Sequence, residues 1–97
     1  MRLVSVKAPE GQALNIAEVA FAVGVDQVST RRLEVLNSDM QRASRDVVDV
    51  ETSTPKAKAF IDAVVQSPFF DPESFSIVVR KPRSVVNGHT LSEITSR

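Results

Sequence analysis

From Arg2 to Ala8 the side chains alternate. Val4, Val6 and Ala8 fall on one face, and Leu3, Ser5 and Lys7 on the other, which is the period of a β-strand. Pro9-Glu10-Gly11 then reads as a turn. From Gln12 to Val23 the period changes: Gln12, Asn15 and Glu18 form a narrow polar stripe, while Leu14, Ile16, Ala17, Val19, Ala20, Phe21 and Val23 cover a wide apolar arc. That pattern predicts a helix that is deeply packed or meets a partner, with Gly24 as its C-terminal stop. Gln27 to Leu36 predicts a second strand whose phase breaks. Val28 and Thr30 share one parity, Leu33 and Val35 the other, and a bulge at Arg31-Arg32 would bring them to a common face. Asn37 to Ser44 is polar and predicts a hairpin loop. Arg45 to Thr52 follows as the third strand, with Val48 and Val50 on one face and Val47, Asp49 and Glu51 on the other.

The segment VETSTPKAKAFIDAVV, Val50 to Val65, carries the strongest local signals. Thr54 is placed to cap a helix, since its hydroxyl can accept a free N–H of the first turn. Pro55 suits the first helical position, where its missing N–H costs nothing. Ala57, Phe60, Ile61, Val64 and Val65 recur at helical spacing as a core face, Lys56, Asp62 and Gln66 face water, and Ser67-Pro68 ends the helix. Phe69 to Glu73 is a compact connection with both Phe rings expected beneath the helix. Phe75, Ile77 and Val79 alternate with Ser76, Val78 and Arg80 as a fourth strand.

The order β-α-β-β-α-β, with right-handed crossovers, predicts an α+β ferredoxin-like sandwich: a four-stranded antiparallel sheet with two helices on one face. The expected core is Val4, Val6, Val48, Val50, Phe60, Ile61, Val64 and Ile77. Residues 1–80 form this domain and 81–97 a polar tail or linker.

Composition narrows the function. The 97 residues allow one domain. The absence of cysteine excludes disulfides, thiolate zinc sites and cysteine nucleophiles. Twelve basic residues cancel twelve acidic ones, so net charge offers nothing to nucleic acid. The sequence has no tyrosine or tryptophan, and no aromatic residue stands where an RNA-recognition sheet stacks bases. No segment approaches the roughly 20 apolar residues of a membrane span, and the opening MRLVSVKAPE lacks the apolar run of a signal peptide.

Candidate chemistry is sparse. The predicted helix start at Thr54, with Lys56 and Lys58 in its first turns, can attract an anion. Glu51 stands just upstream, however, Pro55 removes one donor, and the glycines of a phosphate loop are missing. Structural capping is therefore the favoured role. Glu10 and Gly11, between the first strand and helix, could border a ligand cleft or an oligomer interface, although a simple turn explains them as well. Asp46, Asp49 and Glu51 read as solvated strand carboxylates or as partners of residues such as Lys7. His89 is the only histidine and has no second ligand for a metal. No serine has a partner base. Arg80, Lys81 and Arg83 form a small basic cluster, either a soluble chain end or a juxtamembrane segment. The ligand candidates are thus Glu10, Gly11, Thr54, Lys56 and Lys58. No catalytic residue, metal site or cofactor is expected, and the chain reads as non-enzymatic.

The pieces MRLVSVKAPEG, DVVDVETSTPKAKAFIDAV, PFFDPESFSIVVR and KPRSVV together are similar to the N-terminal cytoplasmic domain of a bacterial and archaeal family of hydrophobic-domain membrane proteins of unknown function. The resemblance covers most of residues 1 to 86. It implies a small α+β domain followed by a multi-spanning membrane region, and it carries no catalytic residues to transfer. No span follows before Arg97, which leaves an excised domain or a natural short form as alternatives. The resulting expectation is a cytoplasmic regulatory or assembly domain at the inner face of a membrane, homo-oligomeric, without nucleic-acid partners. It would associate through its first helix or through the open sheet face around Leu3, Val47 and Val78. A stand-alone sensor of a small anionic metabolite is the alternative.

Overall fold

A computed structural model describes residues 1–81; the expectations placed on 82–97, including the tail, His89 and Arg83, lie outside the described residues. The elements are β1 (Arg2–Pro9), α1 (Ala13–Ala22), β2 (Ser29–Leu36), β3 (Arg42–Thr52), α2 (Thr54–Val65) and β4 (Ser76–Arg80). The strands form one antiparallel sheet in the order β2-β3-β1-β4, with two helices on one face. This is the β-α-β-β-α-β sandwich that the periodicities predict.

The register shows why the faces separate. Val4 pairs with Val50 and Val79, and Val6 with Val48 and Ile77, so the apolar positions of three strands line up beneath the helices. Ile16, Ala17 and Ala20 from α1, and Ala57, Phe60 and Val64 from α2, close over them. Val4, Val6, Val48, Val50, Phe60 and Val64 are fully buried. Ile61 and Ile77 are only partly buried, because they lie toward β4, where helix cover thins. Phe69 and Phe70 pack against Phe75 and the core at ring distances of 6.1 and 5.2 Å.

Five local expectations need correction, the simplest being Val65, expected on the core face of α2 but 46% exposed. No bulge interrupts β2: Ser29 to Leu36 pairs with β3 residue for residue. The phase break is real but serves both faces of an edge strand, with Leu33 partly buried on the open side and Arg32 turned toward the helices. The hairpin loop is shorter than Asn37–Ser44, because β3 begins at Arg42. It closes through Met40 at φ 66°, whose N–H donates to the Asn37 carbonyl. The cap of α2 is Ser53, whose hydroxyl accepts from the Lys56 N–H at 3.4 Å, so Thr54 is the first helical residue and Pro55 the second. Finally, Asp46 leaves the set of solvated carboxylates. It shares parity with Val48 and Val50, faces the helices, and is 2% exposed.

Both ends of α1 are tied to other elements. At its C-terminus Gly24 takes φ +97°, and the N–H groups of Gly24 and Val25 return to the carbonyls of Phe21 and Ala20, a Schellman closure that favours glycine. On its outer surface Leu14 and Phe21 remain exposed, at 78% and 52%. The wide apolar arc is thus only partly absorbed by the core.

Candidate functional site

The first polar site is built around Asp46. Gln12, the residue before α1, makes no side-chain cap, and α1 has no acidic residue in its first turn. Asp46 reaches across from β3 instead. Its Oδ2 accepts the Gly11 N–H at 2.8 Å and the Ala13 N–H at 3.1 Å, while Oδ1 accepts Arg32 Nε at 2.9 Å. Gly11 can present its N–H this way because it sits at φ +98°, where other residues are strained. Arg32 also meets Glu10 at 3.3 Å. Burial pushes the Asp46 carboxyl up. The Arg32 hydrogen bond, the two amides and the guanidinium charge outweigh it and hold the group below the usual carboxylate range. Arg32, hydrogen-bonded to Asp46 and close to Glu10, is held more firmly protonated. The α1 N-terminus, otherwise able to attract an anion, is thus filled by the protein's own carboxylate.

The second site lies at the start of α2. Lys56 Nζ donates to the Gly24 carbonyl at 2.9 Å, and its stem lies over Gly24. It therefore places a positive charge at the C-terminal end of α1 rather than only facing water. Beside it, Arg2, Thr54, Ala57, Lys58, Ile61, Asp62 and Val79 line a groove of about 280 Å³. Its lining combines two cations, Arg2 and Lys58, with the carboxylate of Asp62 and the apolar side chains of Ala57, Ile61 and Val79.

The sequence-predicted ligand residues therefore fall into two groups. Glu10 and Gly11 stand near the Ala8–Asp46 end of the sheet, and Thr54, Lys56 and Lys58 near the Arg2–Thr52 end. Six residues of strand separate them, roughly 20 Å at about 3.3 Å per residue. Thr54 and Lys58 share the groove; Lys56 is engaged with Gly24; Glu10 pairs with Arg32. The sequence pattern reads Asp46 as a solvated or paired strand carboxylate and Arg32 as a bulge position, and it assigns no role to Arg2. For Asp46 a signal existed, because a carboxylate on the core parity of a strand needs buried donors.

The open sheet face is the third feature. Cross-strand rows run Arg80–Leu3–Glu51, Val78–Ser5–Asp49–Ser29 and Ser76–Lys7–Val47–Arg31. Asp49 accepts the Ser5 hydroxyl at 2.5 Å and meets Arg31 at 3.5 Å; Lys7, the neighbour expected from sequence, is not its partner. Val47 is only 2% exposed on this outward face, because long basic stems from Lys7 and Arg31 flank it in the pairing rows. A hollow of about 250 Å³ holds Lys7, Arg31 and Arg80, and another of about 340 Å³ holds Asp49 and Glu51. Basic residues thus gather in one hollow and acidic ones in the other, with the Arg31–Asp49 ion pair joining the two. Among the described residues, no group of three or more metal-ligating side chains comes together, and no helix is long and apolar enough to cross a membrane.

Fold and surface together define a small ferredoxin-like α+β module. Its architecture matches a protein described as a PII-like signaling protein from Thermus thermophilus, with a TM-score of 0.64 over 81% of this chain and 82% of that one. Sequence identity is 15%, so the likeness establishes the fold alone. No family model and no curated protein matches the chain.

Proposed function

We propose that this chain is a non-enzymatic regulatory or assembly module that works by self-association, as the cytoplasmic N-terminal part of a multi-spanning membrane protein. The observation that carries it is the open sheet face. Its acidic hollow, with Asp49 and Glu51, and its basic hollow, with Lys7, Arg31 and Arg80, lie side by side around Leu3, Val47 and Val78. A two-fold axis lays the acidic hollow of one copy on the basic hollow of another, and such a self-complementary face suits an isologous dimer. The exposed Leu14 and Phe21 on α1 offer a second apolar surface for the same purpose.

Light scattering across a concentration series, at low and high salt, tests the assembly. The expected result is a dimer or higher oligomer that weakens with salt, is weakened by Asp49→Lys, and is restored when Lys7→Glu is added. A monomer at high micromolar concentration refutes it. The membrane setting rests on the resemblance of MRLVSVKAPEG and its companion segments. Cell fractionation tests that part: the native protein must sediment with membranes.

A second reading is a small-anion sensor, favoured by the groove that brings Arg2, Thr54 and Lys58 together, with Asp62 as its one carboxylate. Calorimetric titration with inorganic phosphate and pyrophosphate tests it. Saturable binding that is lost in Lys58→Gln supports it, and no heat at millimolar ligand removes it.

A further inference from the structure

The two edges of the sheet are unlike. β2 carries Arg31, Arg32 and Glu34 along its length, the charges with which edge strands commonly discourage pairing. β4, the other edge, reads Ser-Ile-Val-Val-Arg and has no charge before its last residue. Val78 on the open face and Val79 on the helix side are each 46% exposed. In an antiparallel ladder only alternate N–H and C=O groups of an edge strand meet its neighbour, so part of the β4 backbone points away from β1. Beside that edge lies the groove whose lining includes Ala57, Ile61 and Val79.

We propose that the β4 edge pairs antiparallel with β4 of a second copy, joining two four-stranded sheets into one. A two-fold axis through Val78 sets the register. Val78 meets its own copy, Ile77 meets Val79 of the partner subunit on the helix side, and Ser76 meets Arg80 of the partner subunit on the open side. Apolar residues face apolar residues, and no like charges stand directly opposite. The flanks agree with this register. The chain approaches β4 through exposed Asp71 and Glu73 and leaves it through exposed Arg80 and Lys81. Antiparallel pairing brings the acidic approach of one copy to the basic exit of the other, where Arg2 and Lys58 stand together with the acidic Asp62. Among the described residues, neither Glu73 nor Arg80 has an ion-pair partner within its own chain. Charge thus favours the antiparallel arrangement over a parallel one, which would set acidic approach beside acidic approach. The interface differs from the open-face contact proposed above and can exist with or without it.

The test combines amide hydrogen exchange with solution mass. In the full chain, the outward-pointing amides of residues 76–80 should become protected as concentration rises, in step with dimer mass. Val79→Lys, on the helix side and remote from the open face, should weaken that dimer about ten-fold or more, since it places a charge in the apolar seam. Glu73→Lys should weaken it, and adding Arg80→Glu should recover part of the loss, because the second change removes a like charge from the exit that faces the altered approach. Asp49→Lys should leave the protection of β4 unchanged. Two results overturn the proposal. One is exchange at residues 76–80 that stays fast at concentrations where the chain is associated, which assigns assembly to another face. The other is full protection already present in dilute monomer, which means that residues 82–97 or another part of the same chain covers the edge.

Discussion

Removing the Asp46 carboxylate should cost far more than its place on a short sheet strand suggests. In Asp46→Ala, the Gly11 and Ala13 N–H groups lose their acceptor at 2.8 and 3.1 Å. No substitute is at hand, because Gln12 makes no cap and the first turn of α1 has no acidic side chain. Loss of a helix cap costs about 1 kcal/mol. The second amide, also part-buried, adds about 1 kcal/mol, or somewhat more because its acceptor is charged. The exposed Arg32 guanidinium turns to solvent and is left out of the sum. The expected loss is about 2–3 kcal/mol, which for a domain of this size lowers Tm by roughly 10–20 °C. Urea unfolding followed by circular dichroism at pH 7 measures it, and a loss below about 0.5 kcal/mol would refute the capping role.

The same group predicts a pH dependence of definite sign. Asp46 is held below the usual carboxylate range in the folded chain, so the unfolded chain takes up its proton first as pH falls. Its contribution is complete above the unfolded value of about 4 and is lost as pH drops through the lower folded value. The gap in stability between wild type and Asp46→Ala should therefore be widest near neutrality and should narrow under acid. A gap that is constant, or grows, between pH 7 and pH 3 would mean that packing rather than the ionised carboxylate sets the effect.

Phe60→Ala empties the largest fully buried position beneath α2 and should cost about 3–5 kcal/mol by the same unfolding measurement. Ser53→Ala should cost about 0.5–1 kcal/mol and Thr54→Ala less, which separates the observed cap from the neighbouring hydroxyl. Lys58→Gln should leave stability within about 0.5 kcal/mol, as is usual for an exposed surface side chain, and a larger loss would give it a structural role in the groove.

The layout of the sheet was legible because its period is strict. Val4 and Val6 against Val48 and Val50 admit one alignment that buries all four, and a slip of one residue exposes them. The bulge expected in β2 is absent for a physical reason. A bulge seemed necessary only if its apolar residues must share a face, whereas an edge strand beyond the helix layer can divide them. The cap falls at Ser53 rather than Thr54: the two carry the same chemistry, and only the extended backbone of Ser53, at φ −63° and ψ 157°, decides between them. Of the candidate site, the cations at the start of α2 could be read locally. The pairing of Arg2 with that helix, and of Asp46 with Gly11, joins residues far apart in sequence and follows only from the completed sheet.

The two ends of α1 offer a last test of how this helix is held. It has no acidic residue in its first turn and no basic residue in its last, yet both charges are supplied: Asp46 from β3 at the N-terminus and Lys56 from α2 near the C-terminus. Each sign opposes the helix dipole, and Lys56→Gln should cost about 0.3–1 kcal/mol. The helix spans ten residues, about 15 Å, so the two contacts share no partner. If α1 is a rigid rod pinned independently at each end, the losses in Asp46→Ala and Lys56→Gln should add to within about 0.5 kcal/mol in the double variant. If release of one end lets the whole helix lift, the second substitution finds its contact already broken, and the double variant loses less than the sum. A sub-additive cycle would thus mark α1, with its exposed Leu14 and Phe21, as an element that moves as a unit, and an additive one would fix it as part of the scaffold.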